Sequence, residues 1–200
     1  TVNVSGLINA IITNTDITAF FKQITDDKFA VTGGELAKLS NQFYLVGGQR
    51  FDGQYNPMGH GTYVQTYTEA IQKFTLNNSG ATLSYSGYEK ITDPIHLHRR
   101  DYNLLSHIFP DGSEGLVISS GVFQQFVDLP FLYPVEIKED GYVAKTEFNQ
   151  YLNNYHTAHT NIYDSLENKM TSLFFGGISQ YYYVDGALHQ DDFVPFVNTI

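Results

Sequence analysis

The sequence predicts an all-β chain built from recurring small antiparallel sheets. Three observations carry that expectation. The chain holds 15 Tyr and 15 Phe among its 200 residues, and aromatic residues favour the pleated, half-buried surface of a strand. A short apolar strand signal recurs with near-constant spacing. Between its copies lie continuous apolar runs closed by small residues, the pattern of strands buried on both faces.

The recurring signal occurs four times: Leu7-Ile8-Asn9-Ala10-Ile11-Ile12, Ala70-Ile71-Gln72-Lys73-Phe74, Tyr133-Pro134-Val135-Glu136-Ile137 and Val194-Pro195-Phe196-Val197-Asn198-Thr199-Ile200. Its ends at Ile12, Phe74, Ile137 and Ile200 are 62, 63 and 63 residues apart. The intervening runs are Phe43-Tyr44-Leu45-Val46-Gly47-Gly48, Leu116-Val117-Ile118-Ser119-Ser120-Gly121 and Leu173-Phe174-Phe175-Gly176-Gly177. In the second the small pair is read at Ser119-Ser120. A further element precedes each run: Lys28-Phe29-Ala30-Val31-Thr32, His98-Arg99-Arg100-Asp101-Tyr102-Asn103-Leu104 and Tyr155-His156-Thr157-Ala158-His159. The stretch from Ala81 to Tyr88 alternates with period two and reads as one more strand. Three or four short strands per unit with Gly-rich turns describe a four-stranded antiparallel propeller blade. Two stretches read instead as short helical insertions: Ile17, Phe20, Phe21 and Ile24 at helical spacing behind Asp16 as N-cap, and Phe148, Tyr151 and Leu152. The expected organisation is one incomplete propeller domain over 1–200. Its units cover about 13–74, 75–137 and 138–200, and 1–12 ends a preceding blade.

Composition removes several function classes. Eleven Lys and Arg stand against 21 Asp and Glu, a net charge of −10, so the basic footprint of a nucleic-acid binder is missing. Docking on anionic lipid is disfavoured for the same reason. There is no cysteine, which excludes disulfides, thiolate metal sites and cysteine nucleophiles. No apolar run is long enough for a membrane-spanning helix, and no cofactor motif is legible. The segment from Gln49 to Gly61 lacks the glycine spacing and lysine of a phosphate loop.

The apolar strand ending in Gly47-Gly48, the later aromatic strand ending at Phe74, and the run ending in Gly176-Gly177 resemble kelch repeats of galactose-oxidase-like β-propellers. The segments Tyr44-Leu45-Val46-Gly47-Gly48-Gln49-Arg50-Phe51, His98 to Leu104, and Gly176-Gly177-Ile178-Ser179-Gln180-Tyr181 resemble kelch-containing surface proteins of Bacteroidota exported by the type IX secretion system. The resemblance implies a secreted protein on the extracellular or outer-membrane surface, a C-terminal sorting domain further along a parent chain, and the type IX machinery as a partner. Copper-radical chemistry of the galactose-oxidase kind needs a cysteine linked to a tyrosine, and the chain has none.

Candidate site residues are few, and no catalytic residue or metal ligand set is assigned. His96 and His98 would share one face if strand-borne, a spacing that can bring two imidazoles to a metal. His98, Arg99, Arg100 and Asp101 form either an anion clamp or an internal Arg–Asp network. Arg50 and His60 lie in a long loop, Gln49 to Gly61, after a rigid strand, where recognition residues concentrate. Asp111-Gly112-Ser113-Glu114 reads as a solvated turn, being too poor in oxygen ligands for a Ca²⁺ loop. The sequence-level expectation is therefore a secreted binding or structural module with a protein or glycan ligand. The alternatives are a propeller hydrolase or lyase acting on surface polysaccharide, and an intracellular kelch scaffold.

Overall fold

The computed structural model describes residues 3–56, 61–79, 82–152 and 156–200. The chain is all-β, arranged in small antiparallel sheets. A single α-helix is present among the described residues, α1 (Val4–Ile12). The strands are β1 (Glu35–Leu39), β2 (Gln42–Val46), β3 (Gln49–Gly53), β4 (Tyr63–Tyr67), β5 (Ala70–Asn77) and β6 (Ser84–Thr92). They continue as β7 (Asn103–Ile108), β8 (Glu114–Ser119), β9 (Val135–Lys138), β10 (Gly141–Ala144), β11 (Ala158–Asp164) and β12 (Lys169–Phe175). The last four are β13 (Gly177–Ile178), β14 (Tyr181–Val184), β15 (Ala187–Gln190) and β16 (Phe196–Val197).

Two four-stranded sheets form the body. The first has the order β1-β2-β5-β6, the second β10-β9-β8-β7, and every neighbouring pair in them is antiparallel. The β3–β4 hairpin is inserted between β2 and β5. After β10 the chain forms two-stranded pieces: β11–β12, β13–β16 and β14–β15.

The core lies between the two large sheets. Leu39, Tyr44, Val46 and Ile71 from the first meet Leu104, Leu116, Ile118, Val135 and Ile137 from the second, with Leu97 and Tyr102 from the connecting segment. Period-two alternation decides which face each residue serves. Leu116 and Ile118 of β8 point into this core, while Val117 between them belongs to the opposite face. Lys73, only 8% exposed, donates to the Glu139 carbonyl at 2.9 Å and so ties β5 to the β9–β10 turn. The last part of the chain contributes little to the core. Beyond Ile137 no described apolar side chain is fully buried, and Leu166 and Phe193 are each 96% exposed.

Several expected elements take another form. Leu7 to Ile12, read as a strand, lies in α1. Asn3 caps the helix by accepting from the Gly6 N–H at 3.0 Å, and Thr13 closes it with its N–H on the Asn9 carbonyl at 2.9 Å. These local bonds outweigh the strand preference of Ile8, Ile11 and Ile12. The segment from Lys28 to Thr32 begins as a 3₁₀ turn, Asp27–Phe29, because Asp26 accepts from the Lys28 N–H at 3.0 Å. Only Thr32 bridges, to Gln49. Asp16 is not the N-cap: it accepts from the Thr18 N–H at 2.9 Å, but the cap position falls on Ile17, which has no side-chain cap bond, and the helix stops after one 3₁₀ turn, Thr18–Phe20. Phe148, Tyr151 and Leu152 are not helical; the Gln150 N–H is held by the Leu132 carbonyl at 2.6 Å. The expected strands at Ala81 and Tyr155 begin outside the described residues and are observed from Ser84 and Ala158.

Candidate functional site

The seam between the first two sheets gathers most of the charged residues singled out in the sequence. It is organised by a repeated backbone feature. Gly47-Gly48, Ser120-Gly121 and Gly176-Gly177 each place two successive residues at positive φ, at 51° and 76°, 56° and 104°, and 68° and 112°. The small pair of the second unit is therefore Ser120-Gly121, one residue later than Ser119-Ser120. Immediately after the first two pairs the chain bridges outward, Gln49 to Thr32 and Val122 to Arg100. Backbone bonds then stitch successive units together. The Asp101 N–H donates to the Gly33 carbonyl at 3.2 Å, and the His156 N–H to the Asp101 carbonyl at 2.7 Å.

Tyr102 and Arg99 bolt the seam. The Tyr102 hydroxyl accepts from the Glu35 N–H at 2.9 Å and donates to the Val46 carbonyl. Burial drives its hydroxyl far above the ordinary phenol range. Arg99 is fully buried. It donates through Nε to the His96 carbonyl at 2.8 Å, and through Nη1 to the carbonyls of Ser120 at 2.7 Å and Tyr133 at 2.9 Å. Its guanidinium lies 3.9 Å from the Phe131 ring centroid and 4.8 Å from that of Tyr133. Burial lowers its pKa to about 10, so it is charged at neutral pH. Nη2 has no acceptor among the described residues. This is an arginine holding the carbonyls of the segments that join the strands, a use for which its planar fork is suited.

Glu35 adds a titratable group to the seam. Its carboxylate accepts from the Leu104 N–H at 3.2 Å, and burial raises its pKa above the ordinary carboxylate value. A raised folded-state pKa stabilises the fold below the unfolded pKa, and that stability is lost as pH rises through the folded value. Glu35→Gln keeps the acceptor and removes the charge. We expect its melting temperature at pH 7 to exceed that of the parent by about 1–3 °C, with the difference vanishing near pH 3, as thermal unfolding followed by circular dichroism would show.

The two histidines diverge. They sit in the loop after β6, where Asp93 accepts from the N–H groups of Ile95 and His96, and they do not lie on a strand. His96 Nδ1 is 2.9 Å from the Tyr133 hydroxyl, and His98 Nδ1 is 2.8 Å from Glu69 Oε1. The His98 ring stacks on Tyr67 with centroids 3.8 Å apart. A carboxylate that fixes one imidazole nitrogen leaves the other for acid–base work. No hydroxyl is bonded to this ring among the described residues. Nor is any group of three or more His, Asp or Glu arranged to hold a metal among them.

The remaining charges pair locally. Arg100 stands 3.5 Å from Asp101 and 4.8 Å from the Phe123 centroid. Arg50 grips both oxygens of Asp52 at 2.9 and 2.8 Å on β3 and reaches Asp27 at 3.4 Å. It thus belongs to a hairpin arm rather than to a loop. His60 lies outside the described residues. Asp111 turns the β7–β8 hairpin, accepting from the Ser113 N–H at 2.9 Å, and pairs with Lys138 at 2.7 Å. That lysine, then Ser113, holds its carboxyl below the usual range.

Sequence reading missed the cavity on the far side of the second sheet. It measures about 610 Å³ and lies between that sheet and β12, β14 and β15. Its floor alternates with the core residues along β7, β8 and β9, so period-two patterning was the available signal. The walls come from segments with no regular pattern. No helix among the described residues is long and apolar enough to cross a membrane. Comparison of the chain with protein-family models, with curated proteins and with solved structures finds no match.

Proposed function

We propose that the chain is part of a kelch-like β-propeller serving as a secreted binding or structural module at a bacterial surface. Two features support the propeller. Consecutive antiparallel four-stranded sheets share the same pair of left-handed residues, and backbone bonds relate Gly33, Asp101 and His156 from unit to unit. The uncovered apolar side chains of the last unit fit a sheet that packs against a further one. Export as a type IX cargo is supported by the sequence resemblance.

One observation carries the binding reading: the seam's charged side chains face the protein's own groups. Arg99 holds three carbonyls, His98 holds Glu69, Arg50 holds Asp52, and Arg100 stands 3.5 Å from Asp101. A scaffold of this kind presents ligands to its loops and outer faces. The Glu69–His98 dyad favours a second reading, a polysaccharide hydrolase or lyase. The test incubates the protein with a panel of soluble polysaccharides and measures both retention and new reducing ends. The binding reading expects no new reducing ends from any polymer. Cleavage that disappears in His98→Ala, with that variant still folded, would overturn it in favour of the enzyme.

A further inference from the structure

The second sheet is covered differently on its two faces. One face is closed by the first sheet through a continuous buried cluster. The other floors the cavity of about 610 Å³, within the size range of small-molecule sites. Val117 and Glu136, directly paired across β8 and β9, lie on that floor together with His107. Phe148, Phe174 and Tyr183 stand around it.

Two polar groups, Glu136 and His107, face this apolar, aromatic-walled space, and the only charged group that acts on His107 is Glu136 itself. The Glu136 side chain makes no ion pair or hydrogen bond among the described residues. His107 Nδ1 is buried and unpartnered. The lysine at the rim, Lys145, is 3.6 Å from Glu147. A carboxylate in apolar surroundings is costly unless it is paired, and aromatic faces attract cations. The net charge of −10 adds to that preference. Burial holds His107 below its ordinary value, so the imidazole adds no competing positive charge at neutral pH.

We propose that this cavity binds a small organic cation, an apolar body carrying one ammonium group, with the ammonium on Glu136 and the body against Val117 and the aromatic walls. The proposal deepens the binding reading and names its ligand class. Titration calorimetry of the full chain with 4-phenylbutylamine, 4-phenylbutanol and 4-phenylbutyrate tests it, since the three share a body and differ in the head. The amine is expected to bind about tenfold tighter than the alcohol and tighter still than the carboxylate. Glu136→Gln should remove the amine's advantage and leave the alcohol unchanged. Val117→Trp, which fills the floor, should weaken amine and alcohol alike. Circular dichroism confirms that each variant folds. Equal or tighter binding of the carboxylate, an amine affinity unaffected by Glu136→Gln, or no binding of any probe at millimolar concentration by folded protein would each overturn the proposal. Those results leave the polysaccharide assay untouched, so the two failures are distinguishable.

Discussion

Arg99→Met should lower the stability of the chain by about 3–5 kcal/mol, the scale on which breaking a buried charged network acts. The replacement is apolar and of similar length, so it refills most of the space over Phe131 and Tyr133. What it cannot do is donate. The carbonyls of His96, Ser120 and Tyr133 lose their hydrogen bonds inside the seam, and each buried acceptor left unpaired costs about 1–3 kcal/mol. Losing the charge itself offsets part of this, because the guanidinium is fully desolvated. Whole domains are stable by about 5–15 kcal/mol, so the variant should unfold at a markedly lower urea concentration. Arg99→Lys should recover only part of the loss, since one ammonium cannot reproduce the fork that reaches three carbonyls. A midpoint for Arg99→Met within experimental error of the parent would show that relaxed backbone or water satisfies the carbonyls instead.

Gly48→Ala should be damaging on a similar scale. Gly48 sits at φ +76°, and a Cβ there would lie 2.5 Å from the Gly34 nitrogen, 2.7 Å from the Thr32 carbonyl oxygen and 2.8 Å from the Gly34 Cα. All three are backbone atoms, so no side chain can swing away. Relief requires pulling apart the Thr32–Gln49 bridge, and with it the bond from the Gly48 N–H to the Arg99 carbonyl at 2.7 Å. A loss of about 3 kcal/mol or more is expected. Gly112→Ala is the matched control. It too has a positive φ, +80°, but open space around the added methyl, so left-handed strain of about 1 kcal/mol is the whole cost. Comparing the two unfolding midpoints separates close packing from backbone strain.

The parts of this fold legible in the sequence are those where one local signal has one outcome. The apolar runs ending in Gly47-Gly48 and Gly176-Gly177 are strands that turn through left-handed pairs, because glycine there answers a steric demand. The second pair was displaced by one residue because Ser119 and Ser120 are both small, whereas the left-handed positions fall on Ser120 and Gly121. Strand β1, Glu35–Leu39, carries Glu, Ala and Lys, which have no strand preference of their own. It forms because β2 pairs with it across a tight turn. α1 reversed the expectation for the opposite reason: its apolar residues favour a strand, but Asn3 and Thr13 supply caps.

The site was less legible than the fold. His96 and His98 would share a face only on a strand. The Asx turn at Asp93 removes that premise and sends the rings to Tyr133 and Glu69, which lie 37 and 29 residues away in the chain. Arg99 could be recognised as a charged residue two positions before Asp101, yet its partners are carbonyls, which leave no mark in a sequence. The cavity over Glu136 depends on how a third unit with few buried residues leans on the second sheet. No spacing encodes that.

The proposed propeller arranges successive sheets around one axis as blades. An experimental structure of the chain tests it by superposing the first sheet on the second, and the second sheet on the β11–β12 unit. Propellers close with about four to eight blades, so the account predicts two rotations about a common axis, each of about 45–90°. Rotations about different axes, or a translation stacking one sheet on the next, would contradict it.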